Sequence, residues 1–501
     1  MPSLPRSLPR ICVALGLPTA SQLYKAAEHE YKDGSTFLEF RLDYLHDPAT
    51  GIEAIADFLK RYPDAQVLGT CRHQANNGHF SGLVDEQIRL LSVAGKAGAV
   101  AVDLEIESAE KAKKTVSSLR EEVPLVISYH NFTTTPSLAA ISRRVMTIPA
   151  DAYKIIVTAC RPGDNLRVLQ FARHGLGDSV PLIAFAMSDI GVATRILAPS
   201  YGCLYTYAAP SEAEGTASGQ ISGRLMHNLY RCEKLKRQTR IYGVVADPVA
   251  HSKSPLIHNR GFQARRLDAV YLPFRVATSH LGDWMKFARE LPVHGFSVTI
   301  PHKQRIIRHL DIVEPLAKRI GAVNTVWRKG GKWRGTNTDV HGVLKPLARH
   351  GRISGISVLI AGYGGAARAA AIALADAGAR VTITGRNLQS AAALARTIRA
   401  ETVSIESAAA GHFDALIHAT PVGMSPNISE SLFPGRVPAA IVFDMVYNPH
   451  ETALLKQAKA QGCQVIYGVE MLLEQAAHQF EIWTGESAPL SAMRGALGQI
   501  I

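Results

Sequence analysis

Eight short β-branched runs separated by helical patterns fill the first half of the chain. A new strand–turn–helix start follows near residue 240, and a glycine-rich turn opens at residue 362. Together these predict an α/β protein: an N-terminal (β/α)8 TIM barrel, then a two-domain α/β unit whose later part is a Rossmann domain. The expected boundaries are a barrel over 1–228, a linker over 229–239, a first α/β domain over 240–345 and a Rossmann domain over 346–469. C-terminal helices within 470–501 are expected to return to the first α/β domain.

The first four barrel strands are read as ICVALG from residue 11, TFLEFRLD from 36, QVLGTCR from 66 and AVAVDLEI from 99. The other four are PLVISYHN from 124, AYKIIVT from 152, VPLIAFAMS from 180 and GCLYTYA from 202. Helical stretches such as DEQIRLLSVAGKAG lie between them, which makes the strands parallel with crossover helices. Ionisable residues gather at the strand ends: Glu39, Arg41 and Asp43 on the second, Arg72 on the third, Asp103 and Glu105 on the fourth, His130 on the fifth. C-terminal strand ends form the reactive face of such a barrel. Taken singly, Asp103 or Glu105 could salt-bridge the arginines, and His130 could be a satisfied core histidine. Period-two alternation puts Lys154, Ile156 and Thr158 on one side of the sixth strand, so an inward Lys154 sits beneath the polar ring. A snorkelling edge lysine is the commoner case. A desolvated one has a lowered pKa and serves as an amine nucleophile.

NLYRCEKLKRQTR, ending at residue 240, reads as a polar helix or linker, and IYGVVADPVAHSKSPLIHN then opens a second α/β unit. GISVLIAGYGGAARAAAIALADAGARVTITGRN is a strand, a turn, an alanine-rich helix and a strand. Gly362, Gly364 and Ala367 satisfy G-x-G-x-x-G/A, with Gly365 and Ala366 completing the turn that lets the backbone approach a pyrophosphate. The next strand carries no acidic residue for a ribose diol and ends in Arg386 and Asn387. An arginine there suits a 2′-phosphate, favouring NADP(H) over NAD.

A net charge of +13 is dispersed except in RCEKLKRQTR, so it reads as solvated surface with some steering of anions rather than a nucleic-acid footprint. The six cysteines form no C-x-x-C pair and no ligand-like spacing with histidine, so neither a disulfide framework nor a metal is expected. No apolar run has the length of a membrane span, and MPSLPRSLPR runs directly into a strand. A cytosolic protein acting on small molecules, with neither membrane nor nucleic acid as partner, is the expectation.

The first half, from residue 10 to about 225, resembles type I 3-dehydroquinate dehydratase. The resemblance rests on EFRLD, TCR, SYHNF, YKI, SDIGVATRI with Arg195, and EGTASGQIS with Thr216 and Gln220. It implies that Lys154 condenses with the ring ketone to an imine, that His130 is the general base and then acid, and that Arg195 clamps the carboxylate. Glu39, Arg41, Arg72, Thr216 and Gln220 would complete the substrate site. A histidine pKa near its ordinary 6.5 would suit both of His130's tasks. Two departures stand out: Asn76 where the family commonly has a glutamate that steadies the histidine, with Glu105 the candidate to compensate, and Thr216 where a serine is usual.

From YGVVADPVAHSKSPLIHN onward the chain resembles shikimate dehydrogenase, through SKSP, FSVTIPHK, AVNT, GTNTD, FDMVYNP and GVEMLLEQ. That resemblance implies Lys303 and Asp339 as the catalytic couple. It implies Ser252, Ser254, Thr299, Asn324, Tyr447 and Gln475 at the substrate, and Met445 and Gly468 at the cofactor. Gly385 stands where an asparagine is frequent. The expected function is dehydration of 3-dehydroquinate followed by NADPH-linked reduction of 3-dehydroshikimate to shikimate. A quinate-preferring dehydrogenase with a weakened dehydratase is the alternative, and an inactive basic binding protein the rival from another class.

Overall fold

The structure, a computed structural model, describes residues 2–5, 7–177, 180–211 and 215–498. The chain divides into two compact units, Met1–Arg240 with Leu272–Pro292, and Ile241–Tyr271 with Val293–Ile501.

All eight expected barrel strands form in the first unit: β1 (Ile11–Leu15), β2 (Phe37–Arg41), β3 (Gln66–Thr70), β4 (Ala101–Glu105), β5 (Leu125–His130), β6 (Ala152–Thr158), β7 (Leu182–Met187) and β8 (Thr206–Ala208). Their order is β7-β6-β5-β4-β3-β2-β1-β8, and each described ladder is parallel, β1 with β8 included. The seam between β7 and β8 is drawn shut by Leu204, whose N–H donates to the Leu182 carbonyl at 2.9 Å. On β6, Ile155 and Val157 are buried alternately with Lys154, which is 3% exposed. Burying each of those two aliphatic side chains stabilises the strand by about 1.5–3 kcal/mol. That anchorage holds the lysine inside the cylinder.

Short helical turns at Met226–Tyr230 and Cys232–Lys234 bury Leu229, Tyr230, Cys232 and Leu235. The apolar residues of that stretch decide its packing despite its many charges.

After the barrel, β9 (Arg240–Ala246), β10 (Ala269–Arg275), β11 (Val293–Val298), β12 (Ile312–Val313), β13 (Thr325–Lys329) and β14 (Lys332–Thr336) form a mixed sheet ordered β10-β9-β11-β13-β14-β12. A second sheet follows from β15 (Ser357–Ala361), β16 (Arg380–Thr384), β17 (Glu401–Thr402), β18 (Phe413–His418), β19 (Ala439–Asp444) and β20 (Gln464–Ile466). It is parallel, in the order β17-β16-β15-β18-β19-β20, the doubly wound Rossmann order with its switch point between β15 and β18. The C-terminal helices do pack on the first sheet. Leu473, Phe480 and Trp483 of helix Gly468–Thr484, and Met493 and Leu497 of helix Leu490–Gly498, share a core with Tyr242, Phe262 and Tyr271. The end of the expected return, at 499–501, lies outside the described residues.

Candidate active sites

Strand alternation aims Lys154 into the barrel, and three neighbouring groups receive it. Its Nζ donates to Asp103 Oδ2 at 2.9 Å and to the Tyr207 hydroxyl at 2.9 Å, and lies 3.7 Å from Glu39 Oε1. Tyr207 in turn donates to Glu39 Oε1 at 3.2 Å, which also accepts from Thr70 Oγ1 at 2.7 Å. Burial opposes ionisation of Asp103, yet the Lys154 ammonium, the Arg72 guanidinium and the Ser128 hydroxyl hold its carboxyl below the usual range. Asp103 thus pairs with the lysine. The strand-end Arg41 takes Asp43 instead, in a two-bond fork at 2.9 and 2.8 Å.

Above the lysine, Arg72 Nη2 lies 3.0 Å from His130 Nε2. A guanidinium only donates, so Nε2 accepts and the ring proton of a neutral imidazole sits on Nδ1. Burial, then the cations Arg72, Lys154 and Arg41, push His130 well below its ordinary 6.5. The expectation of an unshifted histidine is therefore corrected. No hydrogen bond joins Glu105 to His130 among the described residues, and Glu105 Oε2 has no partner. Its Oε1 accepts from His73 N–H, Asn76 Nδ2, Gln87 Nε2 and Ser108 Oγ, at 2.9–3.1 Å, with Asn76 among the donors that hold it there.

Arg195 is 1% exposed, donates to the Ser218 carbonyl at 3.0 Å and lies over the Phe185 ring at 4.6 Å, while its Nε has no partner. Burial pushes its pKa down to about 9. A buried cation this poorly satisfied fits an incoming carboxylate. Glu39, Arg41, Arg72, His130, Lys154, Arg195, Thr216 and Gln220 all line one cavity of about 50 Å³. Phe132 and Tyr207, which the sequence reading did not single out, line it too. Phe132 is stacked on His130 at 5.9 Å. SYHNF and TYA put both at strand ends, the one signal that pointed to them.

The second unit holds a cavity of about 1020 Å³. On its lining Lys303 Nζ donates to Asp339 Oδ2 at 2.6 Å, and Asn324 Nδ2 donates to Asp339 Oδ1 at 2.7 Å. Lys303 comes from the loop after β11, Asn324 from the residue before β13, and Asp339 from the first turn of helix Asp339–Ala348. Ser252, Ser254, Thr299, Tyr447 and Gln475 line the same wall. Gly362, Gly364, Gly365, Ala366, Arg386, Met445 and Gly468 line this cavity too. Gly362 has φ +126°, and a Cβ there would lie 2.7 Å from the Ala419 carbonyl oxygen, so only glycine fits the turn. The free N–H groups at the start of helix Gly365–Asp376 and the exposed Arg386 suit a dinucleotide with an extra phosphate. Two cofactor candidates fall off the wall. Ala367 is buried in the helix–sheet core, and Asn387 caps helix Leu388–Thr397 by accepting from Ser390 N–H at 2.9 Å.

Two groups of residues here were missed. Gln479, which lines the cavity, accepts from Ser297 Oγ at 2.8 Å and donates to Thr325 Oγ1 at 3.0 Å. His418 closes β18, with Nδ1 2.8 Å from Asp444 Oδ1 and Nε2 2.6 Å from the hydroxyl of Thr420, which lines the cavity. Strand ends beside the switch point were the signal for that pair.

Fold and sites together define an enzyme of two chemistries, an imine-forming lyase barrel and a nicotinamide-dependent dehydrogenase. Residues 11–237 match the family described as type I 3-dehydroquinase. Residues 244–326 match the shikimate dehydrogenase substrate binding domain, and 468–497 the shikimate 5'-dehydrogenase C-terminal domain. The chain is 31% identical over 504 residues to the chloroplastic bifunctional 3-dehydroquinate dehydratase/shikimate dehydrogenase of Arabidopsis thaliana, across 96% of this chain and 82% of that protein. It is 40% identical over 276 residues to the NADP(+) shikimate dehydrogenase of Thermosynechococcus vestitus, across 53% of this chain and 96% of that one. A solved shikimate dehydrogenase in complex with NADP+ superposes with a TM-score of 0.51 at 36% identity, covering 53% of this chain and 97% of the other. The chain belongs to the bifunctional 3-dehydroquinate dehydratase/shikimate dehydrogenase family. Among the described residues, no helix is long and apolar enough to cross a membrane.

Proposed function

We propose that the first unit dehydrates 3-dehydroquinate through an imine on Lys154 and that the second reduces the resulting 3-dehydroshikimate to shikimate with NADPH. The observation that carries the first step is an ammonium group 3% exposed inside a barrel, under a ring of arginines and one histidine. A protonated imine acidifies the adjacent C–H. His130 removes that proton and returns one to the departing hydroxyl, with Arg195 holding the carboxylate and Arg41, Arg72 and Gln220 the ring hydroxyls.

In the second unit the nicotinamide supplies the hydride. Lys303, held by Asp339 at 2.6 Å, passes a proton to the carbonyl oxygen as the ketone is reduced. Ser252 and Ser254 lie at the start of helix Ser254–Ala264 and hold the substrate carboxylate. Arg386, at the end of β16, is the residue through which NADP(H) is preferred over NAD(H). All six cysteines are free, which supports a reducing compartment such as the cytoplasm.

The test is borohydride reduction in the presence of 3-dehydroquinate, followed by peptide mass mapping. Adduct at Lys154 is expected, and Lys154→Ala should abolish dehydration while NADPH-linked reduction continues. An unmodified Lys154 peptide would overturn the barrel assignment.

A further inference from the structure

The barrel lysine faces a difficulty that its surroundings create. Its Nζ donates to Asp103 at 2.9 Å, and only an amine that has shed its extra proton can attack a carbonyl. Imine formation therefore needs a route that takes one proton off Nζ and later delivers one to the oxygen that leaves. His130 is badly placed for this, because its Nε2 is occupied by Arg72 at 3.0 Å. Asp103 is a poor acceptor, since the Lys154 and Arg72 charges and the 2.7 Å bond from Ser128 Oγ all favour its ionised form.

Tyr207 is placed for the task. Its hydroxyl accepts from Lys154 Nζ at 2.9 Å and donates to Glu39 Oε1 at 3.2 Å, and its side chain lines the cavity where substrate must lie. Lysine, phenol and carboxylate thus form a continuous donor-to-acceptor chain drawn from β6, β8 and β2. We propose that Tyr207 is a further catalytic residue of the dehydratase, a phenol relay that carries protons between Lys154 and Glu39 as the imine forms and is hydrolysed. The proposal rests on the imine reading of Lys154.

The step balances. An Nζ proton passes to the Tyr207 oxygen while the Tyr207 proton passes to Glu39, leaving a neutral amine and a carboxylic acid. The amine's lone pair forms the C–N bond, and the carbonyl π electrons move to oxygen. A proton shifts from that nitrogen to that oxygen. Glu39 then returns its proton through Tyr207 to the carbinolamine hydroxyl, two bonds from Nζ. Water departs as the nitrogen lone pair closes the C=N bond. The net change is an ammonium and a ketone becoming an iminium and water, with Glu39 again a carboxylate. Burial and the Glu39 carboxylate keep the phenol of Tyr207 protonated, so it acts only as a conduit.

A purely structural Tyr207 would be an aromatic wall beneath the lysine, and its ring does lie 4.2 Å from Nζ. Tyr207→Phe separates the two roles, since it keeps the ring and removes only the hydroxyl. The readout is the single-turnover rate at which a borohydride-trapped adduct of 3-dehydroquinate accumulates on the full chain, followed by intact mass. We expect a fall of about 10-fold or more, the lower part of the range for losing a positioned proton carrier. 3-Fluorotyrosine placed at 207 leaves packing almost unchanged and makes the phenol more acidic, so the same rate should move by about 2-fold or more if the relay operates. Adduct formation at the wild-type rate in either protein would overturn the relay and leave Lys154 intact as nucleophile. Failure of wild-type protein to form any adduct would instead sink the imine reading itself.

Discussion

Arg72 Nη2 and His130 Nε2 are 3.0 Å apart, so the accepting nitrogen of the histidine already has a donor. Asn76 and Glu105 bond each other at 3.1 Å, and Glu105 Oε1 is committed to three further donors.

The first consequence concerns pH. Burial and the cations Arg72, Lys154 and Arg41 hold His130 well below 6.5, so its neutral form persists as pH falls. The acid limb of the dehydration kcat/KM profile should therefore lie clearly below pH 6.5, and a limb at or above that value would contradict it. Linkage has the matching sign. Between the lowered folded value and the unfolded value of about 6.5 the unfolded chain binds more protons, so stability contributed by the neutral ring is lost as pH drops through that window. Urea titrations across pH 4–7 read this directly.

Arg195 should trade stability for binding. It is 1% exposed with one hydrogen bond and an unpartnered Nε. Replacing a poorly compensated buried charge by an apolar side chain is often neutral or stabilising, by about 1–4 kcal/mol. Arg195→Leu should leave Tm unchanged or higher while the KM for 3-dehydroquinate rises by about 10-fold to 100-fold, the loss of a charge-assisted contact worth about 1.5–3 kcal/mol. A lower Tm without a change in KM would assign the residue to the core instead.

Lys303→Ala or Asp339→Asn should cut the rate of NADPH oxidation by 3-dehydroshikimate by about 10²–10⁴-fold. Dehydratase turnover measured on the same preparation should not change, because none of the barrel cavity's lining residues belongs to that pair. Stopped-flow loss of NADPH absorbance is the measurement.

Arg386 should set cofactor choice. Arg386→Ala removes an exposed cation at the end of β16, so kcat/KM with NADPH should fall by about 10-fold or more while that with NADH changes little. Equal losses with both cofactors would mean that the arginine does not meet the 2′-phosphate.

His418 and Asp444 are fully buried, and His418 Nε2 lies 2.6 Å from the hydroxyl of Thr420, which lines the cavity. His418→Ala leaves a buried carboxylate short of a donor and should destabilise the second unit by about 1–3 kcal/mol in urea unfolding. His418→Asn retains a donor and should recover part of the loss.

Much of this was legible in the chain. Period-two alternation put Lys154 on one side with Ile156 and Thr158, and the strand-end rule already collected Glu39, Arg72 and His130 on one face. The G-x-G-x-x-A turn marked the dinucleotide end, although it also drew in Ala367, which packs in the core, and Asn387, which caps a helix. Gln479 and the His418–Asp444 pair went unnoticed because their partners are distant in sequence, such as Asn324, 155 positions from Gln479.

Local periodicity and turn chemistry by themselves determined which residues are strands, which side chains face inward, and which ends carry charge, because those depend only on backbone geometry over a few residues. Which inward groups meet was decided only when the sheet curled until β8 paired with β1. That closure set a tyrosine between a lysine and a glutamate from three separate strands and an arginine against a histidine. Such contacts depend on register and curvature across the whole cylinder, quantities that no short stretch of chain encodes.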